Sequence, residues 1–288
     1  ALLLSSTAAA SASFESPESA YEEGYRAFQA GDYDHAIDPL AYAAEHGEFL
    51  GRFYLAKILS TNGSRHVDHA AAFRELERLV EDNSGIDYAH YRAPYVASAI
   101  VALARYWRSG VPGLGIEPDT QKVYSLLATA ANYFGDADAQ FELAKYYVED
   151  GGSEADIRHG LKLLVRLAEK KGHPGSQAYL AEIFHSGRPI GELKGPQPAL
   201  ALALITLAVE RASEDDRIGF EDTYQAIFCA TSLPQRLRVM PAAGEIGRIL
   251  ESAREIAGSS DLAEAWGGTR ITRLQLVAMR NRLCLRFP

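Results

Sequence analysis

Apolar positions along the chain recur every three or four residues, the spacing that places them on one face of an α-helix. Four stretches repeat one pattern: a small residue, three variable residues, Leu-Ala, a charged residue and two large apolar residues. These stretches are residues 51–59, 99–107, 139–147 and 176–184. A glycine follows each of them, which predicts a helix that ends at a left-handed cap.

The invariant positions of this pattern are predicted to pack helix against helix. Residues four apart share a helix face, and a small residue there lets a neighbouring helix approach closely. The predicted packing residues are Gly51, Leu55, Ala56, Ala99, Leu103, Ala104, Ala139, Leu143, Ala144, Ser176, Leu180 and Ala181.

In residues 139–147 we also expect Tyr147 to face a neighbouring helix and Lys145 to face solvent. The variable positions, Gln140, Phe141 and Glu142, are left for contacts with other molecules.

A second segment with helical periodicity follows each repeated stretch. These segments are residues 70–82, 121–135, 157–172 and 198–212. A helix–turn–helix unit that recurs about every 40 residues is typical of a solenoid. The sequence therefore predicts an all-α fold, a right-handed α-solenoid of helix–turn–helix repeats.

The two ends of this array are less regular. Residues 21–47 read as an earlier half-unit, in which Asp38 and Pro39 are predicted to be the cap and first residue of a short helix. Helical patterns at 221–233 and 243–258 could close the stack, since terminal repeats are usually atypical.

The predicted domain organisation has three parts: a leader over 1–13, the solenoid over 14–256 and a basic tail over 257–288. The leader combines an apolar run with an Ala-x-Ala-like site, which is typical of a secretory signal; a disordered Ala/Ser segment is the alternative. From Ala265 onward the tail has five arginines and no acid. Such a tail could bind anionic lipid, nucleic acid or the acidic body, or have no role.

Composition excludes some classes of protein. A net charge of −9 and a pI near 5.4 argue against a general nucleic-acid binder.

Residues 198–209 are very apolar but short, so a buried core helix is predicted rather than a membrane span. Cys229 lies in an apolar helical pattern that favours a buried free thiol, with a Cys229–Cys284 bridge in an oxidising compartment as the alternative.

No motif in the sequence predicts catalysis, a cofactor or a metal centre. The Gly-x-Ser-x-Gly and phosphate-loop patterns are absent. His66 and His69 could share a metal ion if helical, but a solvated loop is favoured. His173 is assigned a structural role, capping carbonyls at a turn.

Four aromatic residues could form a stacking groove for a sugar or peptide, but their core-facing spacing favours inter-helix packing. They are Tyr106, Trp107, Tyr146 and Tyr147.

The repeated pattern, the glycine stop and the alanine-rich second helix resemble Sel1-like repeats, relatives of tetratricopeptide repeats, over residues 40–212. That resemblance implies protein–protein binding. A narrower similarity is to the ExoR family of periplasmic exopolysaccharide regulators of alphaproteobacteria, over about residues 20–250. It is carried by the segments 102–113, 130–152, 170–180 and 209–217.

The ExoR resemblance implies export to the periplasm and binding to the periplasmic sensor domain of a membrane histidine kinase, which is held off. Loss of such a regulator would raise exopolysaccharide output and lower motility. We therefore expect a non-enzymatic regulator without cofactors whose partner is a protein, and self-association stays open. An envelope enzyme acting on cell-wall or capsule material and a passive envelope scaffold are the alternatives. No partner-binding residue is assigned.

Overall fold

The computed structural model describes residues 14–188 and 195–232, and these form eleven α-helices. The helices are α1 (Pro17–Gln29), α2 (Tyr33–Glu45), α3 (Phe49–Ser60), α4 (His69–Asp82), α5 (Ala93–Ser109), α6 (Thr120–Asn132), α7 (Ala137–Glu149), α8 (Glu154–Arg166), α9 (Pro174–Ser186), α10 (Pro198–Arg211) and α11 (Glu214–Ala230). A π-helical turn, Leu167–Lys171, continues α8. The predicted all-α class is confirmed. The predicted leader, basic tail and closing helix at 243–258 lie outside the described residues.

The chain divides into two compact units, one ending at Phe134 and the other beginning at Gly135. In the first unit each helix from α1 to α6 packs against the next, and in the second unit α7 to α11 do the same. Packing of each helix against the next one along the chain is the arrangement of a helical-repeat solenoid. We call α1, α3, α5, α7 and α9 the first helices of the pairs.

Side-chain caps fix where most of these helices begin. Asp68, Asp119 and Asp136 each accept a hydrogen bond from the backbone N–H three residues later, at 2.9, 2.9 and 2.7 Å. These bonds satisfy donors that the first turn would otherwise leave unpaired. At the other end, Gly110 and Gly187 stop α5 and α9 with φ of 74° and 65°.

The prediction that a short helix starts at Asp38 and Pro39 is wrong. Helix α2 already begins at Tyr33, capped by Asp32, and Pro39 lies buried inside it. A proline there removes one backbone hydrogen bond, at a cost of about 3 kcal/mol. Buried Ala36 and Leu40, on either side of Pro39, anchor the helix and offset that cost.

The structure places all twelve predicted packing residues in buried positions. The small residue that opens the pattern is fully enclosed in three repeats: Ala99, Ala139 and Ser176 each have 0% exposure. At Gly51 a Cβ would lie 2.7 Å from Cβ of Ala43 on α2. The small residue therefore allows adjacent helices to approach closely.

The expectation that Lys145 of α7 faces solvent is wrong. The Lys145 side chain is only 24% exposed, and its ammonium lies 5.4 Å and 5.7 Å from the ring centroids of Phe141 and Tyr179. Glu142, one of the three variable positions of this stretch, is 7% exposed and lies 3.8 Å from the Lys145 ammonium. Helix α9 packs beside α7 and covers one of its faces. The sequence pattern of α7 alone does not show that this face is covered.

Replacing Ala139 by leucine is expected to lower the free energy of unfolding by about 1–3 kcal/mol, because the added methyl groups overpack a closed contact. Urea unfolding followed by circular dichroism measures the change. An unfolding midpoint equal to that of the wild type would contradict the close-packing role of Ala139.

Two glycines make a matched pair for the same argument. A Cβ at Gly160 of α8 would lie 2.6 Å from the carbonyl oxygen of Ala144, whereas at Gly219 of α11 nothing lies within 4 Å. We expect Gly160→Ala to destabilise by about 1–3 kcal/mol through overpacking. Gly219→Ala is expected to stabilise by about 0.5–1 kcal/mol through helix propensity. Urea unfolding of both variants tests this, and changes of the same sign would contradict it.

The very apolar segment at 198–209 forms a buried core helix, as predicted. It lies within α10, and eight of its residues are buried: Leu200, Ala201, Leu202, Ala203, Leu204, Ile205, Leu207 and Ala208. Within the described ranges, no helix has both the length and the apolar character needed to cross a membrane.

The favoured prediction of a free thiol at Cys229 is wrong. Cys229 is disulfide-bonded in the structure, and its bonding partner lies outside the described residues. Its side chain is half-buried, one position beyond the buried Ile227 and Phe228 of α11. Cys229 therefore lies at the edge of the core, where a second sulfur can reach it.

Candidate protein-binding surface

Aromatic rings form a continuous cluster on the first helices of the first unit. Tyr21, Tyr25 and Phe28 follow one another along α1, and all three lie against Tyr54 of α3, with ring centroids 6.4, 4.7 and 5.0 Å apart. The cluster then runs through Phe53, 5.3 Å from Tyr54, to Tyr95 of α5 at 5.1 Å. We call these six residues the aromatic face.

The sequence of α1 explains why the rings lie side by side. Residues 21, 25 and 28 are spaced by four and three, so they share one side of the helix. Ala20 and Gly24 lie beside them and are buried, and a Cβ at Gly24 would lie 2.7 Å from Cγ of Leu40. Close packing of α1 on α2 therefore orients the ring-bearing side toward α3.

All six rings of the aromatic face are half-buried. Tyr21, Phe28 and Tyr54 pack against the buried core of the first unit with one side. The part of each ring that stays exposed can contact another protein, and aromatic residues are enriched at protein–protein interfaces. Because the rings support one another, their positions are set before a partner arrives. This reduces the side-chain entropy lost on binding.

Electrostatics at the aromatic face favour protonated phenols. Burial raises the pKa of Tyr21 to about 12, and the negative charge of Glu48 adds to this shift. Burial, followed by a hydrogen bond with Tyr25, also raises the pKa of Tyr54. The Lys57 ammonium lies 5.7 Å from the Phe28 ring centroid and adds a cation at the edge. The surface thus offers apolar rings, hydroxyl groups and one positive charge, which suits contact with another protein.

A smaller mixed surface lies on the first helices of the second unit. The ring centroids of Phe141 on α7 and Tyr179 on α9 are 6.2 Å apart. The Tyr179 hydroxyl donates to Oε1 of Glu149 at 2.8 Å. Burial raises the pKa of Glu182 on α9, Lys145 opposes the shift and Glu149 adds to it. This surface is more charged than the aromatic face and its residues are paired with one another.

Three of the four aromatic residues considered for a stacking groove contact a ring of a neighbouring helix instead. Tyr106 and Trp107 point their rings at Phe73 of α4, with centroids 5.9 and 6.0 Å apart in edge-on geometry. Tyr147 makes an edge-on contact with His159 of α8 at 4.9 Å, and Tyr146 lies 6.2 Å from Tyr147. Their contacts support the packing interpretation.

The histidines considered as metal ligands have separate partners. Nε2 of His66 lies 2.5 Å from Oδ1 of Asp34, whereas Nδ1 of His69 lies 3.0 Å from the hydroxyl of Tyr106. Among the residues that the structure describes, no group of three His, Cys, Asp or Glu side chains could hold a metal ion.

His173 has a structural role, although not the one predicted. Its Nδ1 accepts the backbone N–H of Ser176 at 3.0 Å and so caps the start of α9. Its Nε2 lies 2.9 Å from Oδ1 of Asp138 on α7. The prediction of carbonyl capping is wrong because His173 precedes a helix, where N–H groups rather than carbonyls are unpaired.

Comparison with known proteins connects this fold to one group of regulators. No family model matches the chain. A protein named exopolysaccharide production negative regulator from Rhizobium meliloti is 29% identical over 225 residues, which cover 77% of this chain and 80% of the relative. Its namesake from Rhizobium leguminosarum bv. viciae is 28% identical over 201 residues, 69% of this chain and 71% of the relative.

A solved structure supports the fold. The crystal structure of a Sel1 repeat protein from Oxalobacter formigenes matches with a TM-score of 0.51 at 20% identity, over 83% of this chain and 88% of that chain. The resemblance seen in the sequence is therefore confirmed: the chain is a Sel1-like repeat protein in fold and a homologue of the exopolysaccharide production negative regulators in sequence.

Proposed function

We propose that the protein is a non-enzymatic negative regulator of exopolysaccharide production that acts in the periplasm by binding another protein. The partner we propose is the periplasmic sensor domain of a membrane histidine kinase, and binding holds that kinase in its off state. Motility would be controlled through the same kinase. The observation that carries this proposal is similarity to negative regulators over 77% of the chain.

The repeat architecture supports a binding role. Its invariant positions are occupied by residues whose burial serves helix packing, as at Leu55, Leu143 and Leu180. Function must then depend on side chains between these positions, and we assign it to the aromatic face, whose six rings are half-buried. Tyrosines with an apolar ring and a polar hydroxyl are enriched among residues that dominate interface energies.

The regulatory effect would be a shift between the populations of the on and off states of the kinase. A bound regulator favours the off state only by the difference between its affinities for the off and on states. A change from 1:99 to 99:1 would require about a 10⁴-fold difference in affinity. Removal of the regulator would then release the kinase without any chemical step.

Deletion of the gene tests the proposal. We expect the deletion strain to overproduce exopolysaccharide, to activate a transcriptional reporter of the kinase and to swim less. Reintroducing the gene should restore all three. Crosslinking in the periplasm followed by capture of the protein should recover the sensor domain.

Unchanged exopolysaccharide output and unchanged reporter activity in the deletion strain would contradict the proposed regulatory function. Recovery of the sensor domain without any change in reporter activity would instead favour a passive scaffold. A glycan-processing activity of the purified protein would favour the enzyme alternative.

A further inference from the structure

The end of α11 carries a covalent bond that the helix packing described above does not explain. Cys229 is disulfide-bonded, and its partner lies outside the described residues. The sequence contains two cysteines, which leaves Cys284 as the partner. The bond therefore joins the last described helix to the arginine-rich tail, a segment that the proposed function does not use.

The side of α11 that carries Cys229 points away from the core. Tyr224, Ile227 and Phe228 belong to the core cluster of the second unit and are at most 6% exposed. Asp222 is exposed on the opposite side of the helix. Asp222 and Cys229 are seven residues apart, which places them on the same side, two turns from each other.

The charge of this surface complements that of the tail. Among the described side chains of α11, the exposed acids are Asp216, Glu221 and Asp222, whereas the exposed base is Arg217. Residues 280–286, which include Cys284, contain three arginines and no acid. A guanidinium can bind a carboxylate with two parallel hydrogen bonds, so these two surfaces suit each other.

The spacing of the charges agrees with the position of the two cysteines. Two turns of helix separate Asp222 from Cys229 by about 10 Å along the axis. Arg282 and Arg280 come two and four residues before Cys284, and an extended chain of that length would span about 7 to 13 Å. With Cys284 bonded to Cys229, an arginine of the tail can therefore reach the Asp222 carboxylate.

We propose that the outer side of the last two turns of α11 is a docking surface for residues 280–286 of the same chain. The Cys229–Cys284 bridge holds the segment in place, and ion pairs between its arginines and Asp222 align it along the helix. The docked segment caps the last described helix, as the ends of helical-repeat arrays require. This inference does not depend on the proposed kinase partner.

Peptide mapping of the 288-residue chain tests the pairing. The protein is equilibrated with oxidised glutathione, its remaining thiols are blocked, and it is digested without reductant. We expect mass spectrometry to find Cys229 and Cys284 in one linked pair of peptides, from protein that migrates as a monomer. Two blocked thiols would overturn the bridge, and a disulfide-linked dimer would assign the surface to a second copy of the chain.

Exchange with glutathione distinguishes docking from the covalent bond alone. Two molecules of reduced glutathione convert the bridge to two thiols and become one molecule of oxidised glutathione, so the equilibrium constant for bridge formation can be measured. We expect this constant to be at least about tenfold higher in native buffer than in urea that unfolds the protein, because only a flexible linker brings the thiols together in urea.

Two variants locate the docking surface. Asp222→Asn should lower the native equilibrium constant for bridge formation by about two- to fivefold, the effect of losing one exposed ion pair. Asp150→Asn, which changes an exposed acid at the end of α7, should leave the constant unchanged. Replacing Arg280 and Arg282 by glutamine should lower the constant as well, and adding Asp222→Asn to that variant should have no further effect. Circular dichroism verifies that each variant is folded.

Two results of the exchange experiment would overturn the docking surface. Equal equilibrium constants in native buffer and in urea would show a covalent tether without docking. Equal effects of Asp222→Asn and Asp150→Asn would show that this side of α11 does not bind the segment. Neither measurement contains the kinase, so both are independent of the outcome of the deletion experiment.

Discussion

Replacing Leu180 by alanine is expected to lower the free energy of unfolding by about 2–5 kcal/mol, the largest stability change that we predict. Leu180 belongs to the repeated pattern, lies in α9 and is 1% exposed. It is part of the large core cluster of the second unit. Its truncation removes apolar burial and leaves a cavity that neighbouring helices, anchored by their own contacts, fill only in part.

A matched control distinguishes the loss of buried contacts from the effect of removing methyl groups at any position. Ile218 of α11 is 71% exposed, so Ile218→Ala should change the stability by no more than about 0.5 kcal/mol. Urea unfolding of the two variants and the wild type gives both values. If Leu180→Ala changed the free energy of unfolding as little as Ile218→Ala does, the repeated leucine would not be a packing position.

The second large effect concerns binding. We expect Tyr25→Ala to weaken binding to the kinase sensor domain by about 30-fold or more, equivalent to roughly 2 kcal/mol. Tyr25 is central to the aromatic face because its ring lies 5.6, 6.4 and 4.7 Å from those of Tyr21, Phe28 and Tyr54. Removing it takes away one anchor and loosens the rings beside it.

The control for this variant is Tyr124→Ala. Tyr124 is also a tyrosine of the first unit and is 39% exposed, but it lies on α6, a second helix. Binding of the purified sensor domain by surface plasmon resonance compares the two variants, with circular dichroism to show that each is folded. Equal affinities for the two variants would contradict the assignment of the aromatic face as the binding surface.

Much of the fold could be predicted because its determinants are local. The spacing of the small residue, Leu-Ala pair and glycine specifies a helix, its packed side and its end within about a dozen residues. The structure places residues such as Leu103 and Ala139 in the core accordingly. At Pro39, however, the rule that proline is disfavoured inside a helix gave the wrong helix start. Buried neighbours on both sides of the proline outweigh its destabilising effect on α2.

The aromatic face could not be predicted from the sequence, because it depends on contacts between helices. The spacing of Tyr21, Tyr25 and Phe28 marks a shared side of α1, but not that Tyr54 of α3 meets them there. The same limitation explains Lys145, whose environment depends on Tyr179 of the next first helix.

The proposed regulator is tested most directly by exopolysaccharide output in a deletion strain that carries the gene for Tyr25→Ala, expressed at the wild-type protein level. We predict that output stays as high as in the deletion strain, whereas the gene for Tyr124→Ala returns it to the wild-type level. Full repression by the Tyr25→Ala protein would contradict regulation through the aromatic face.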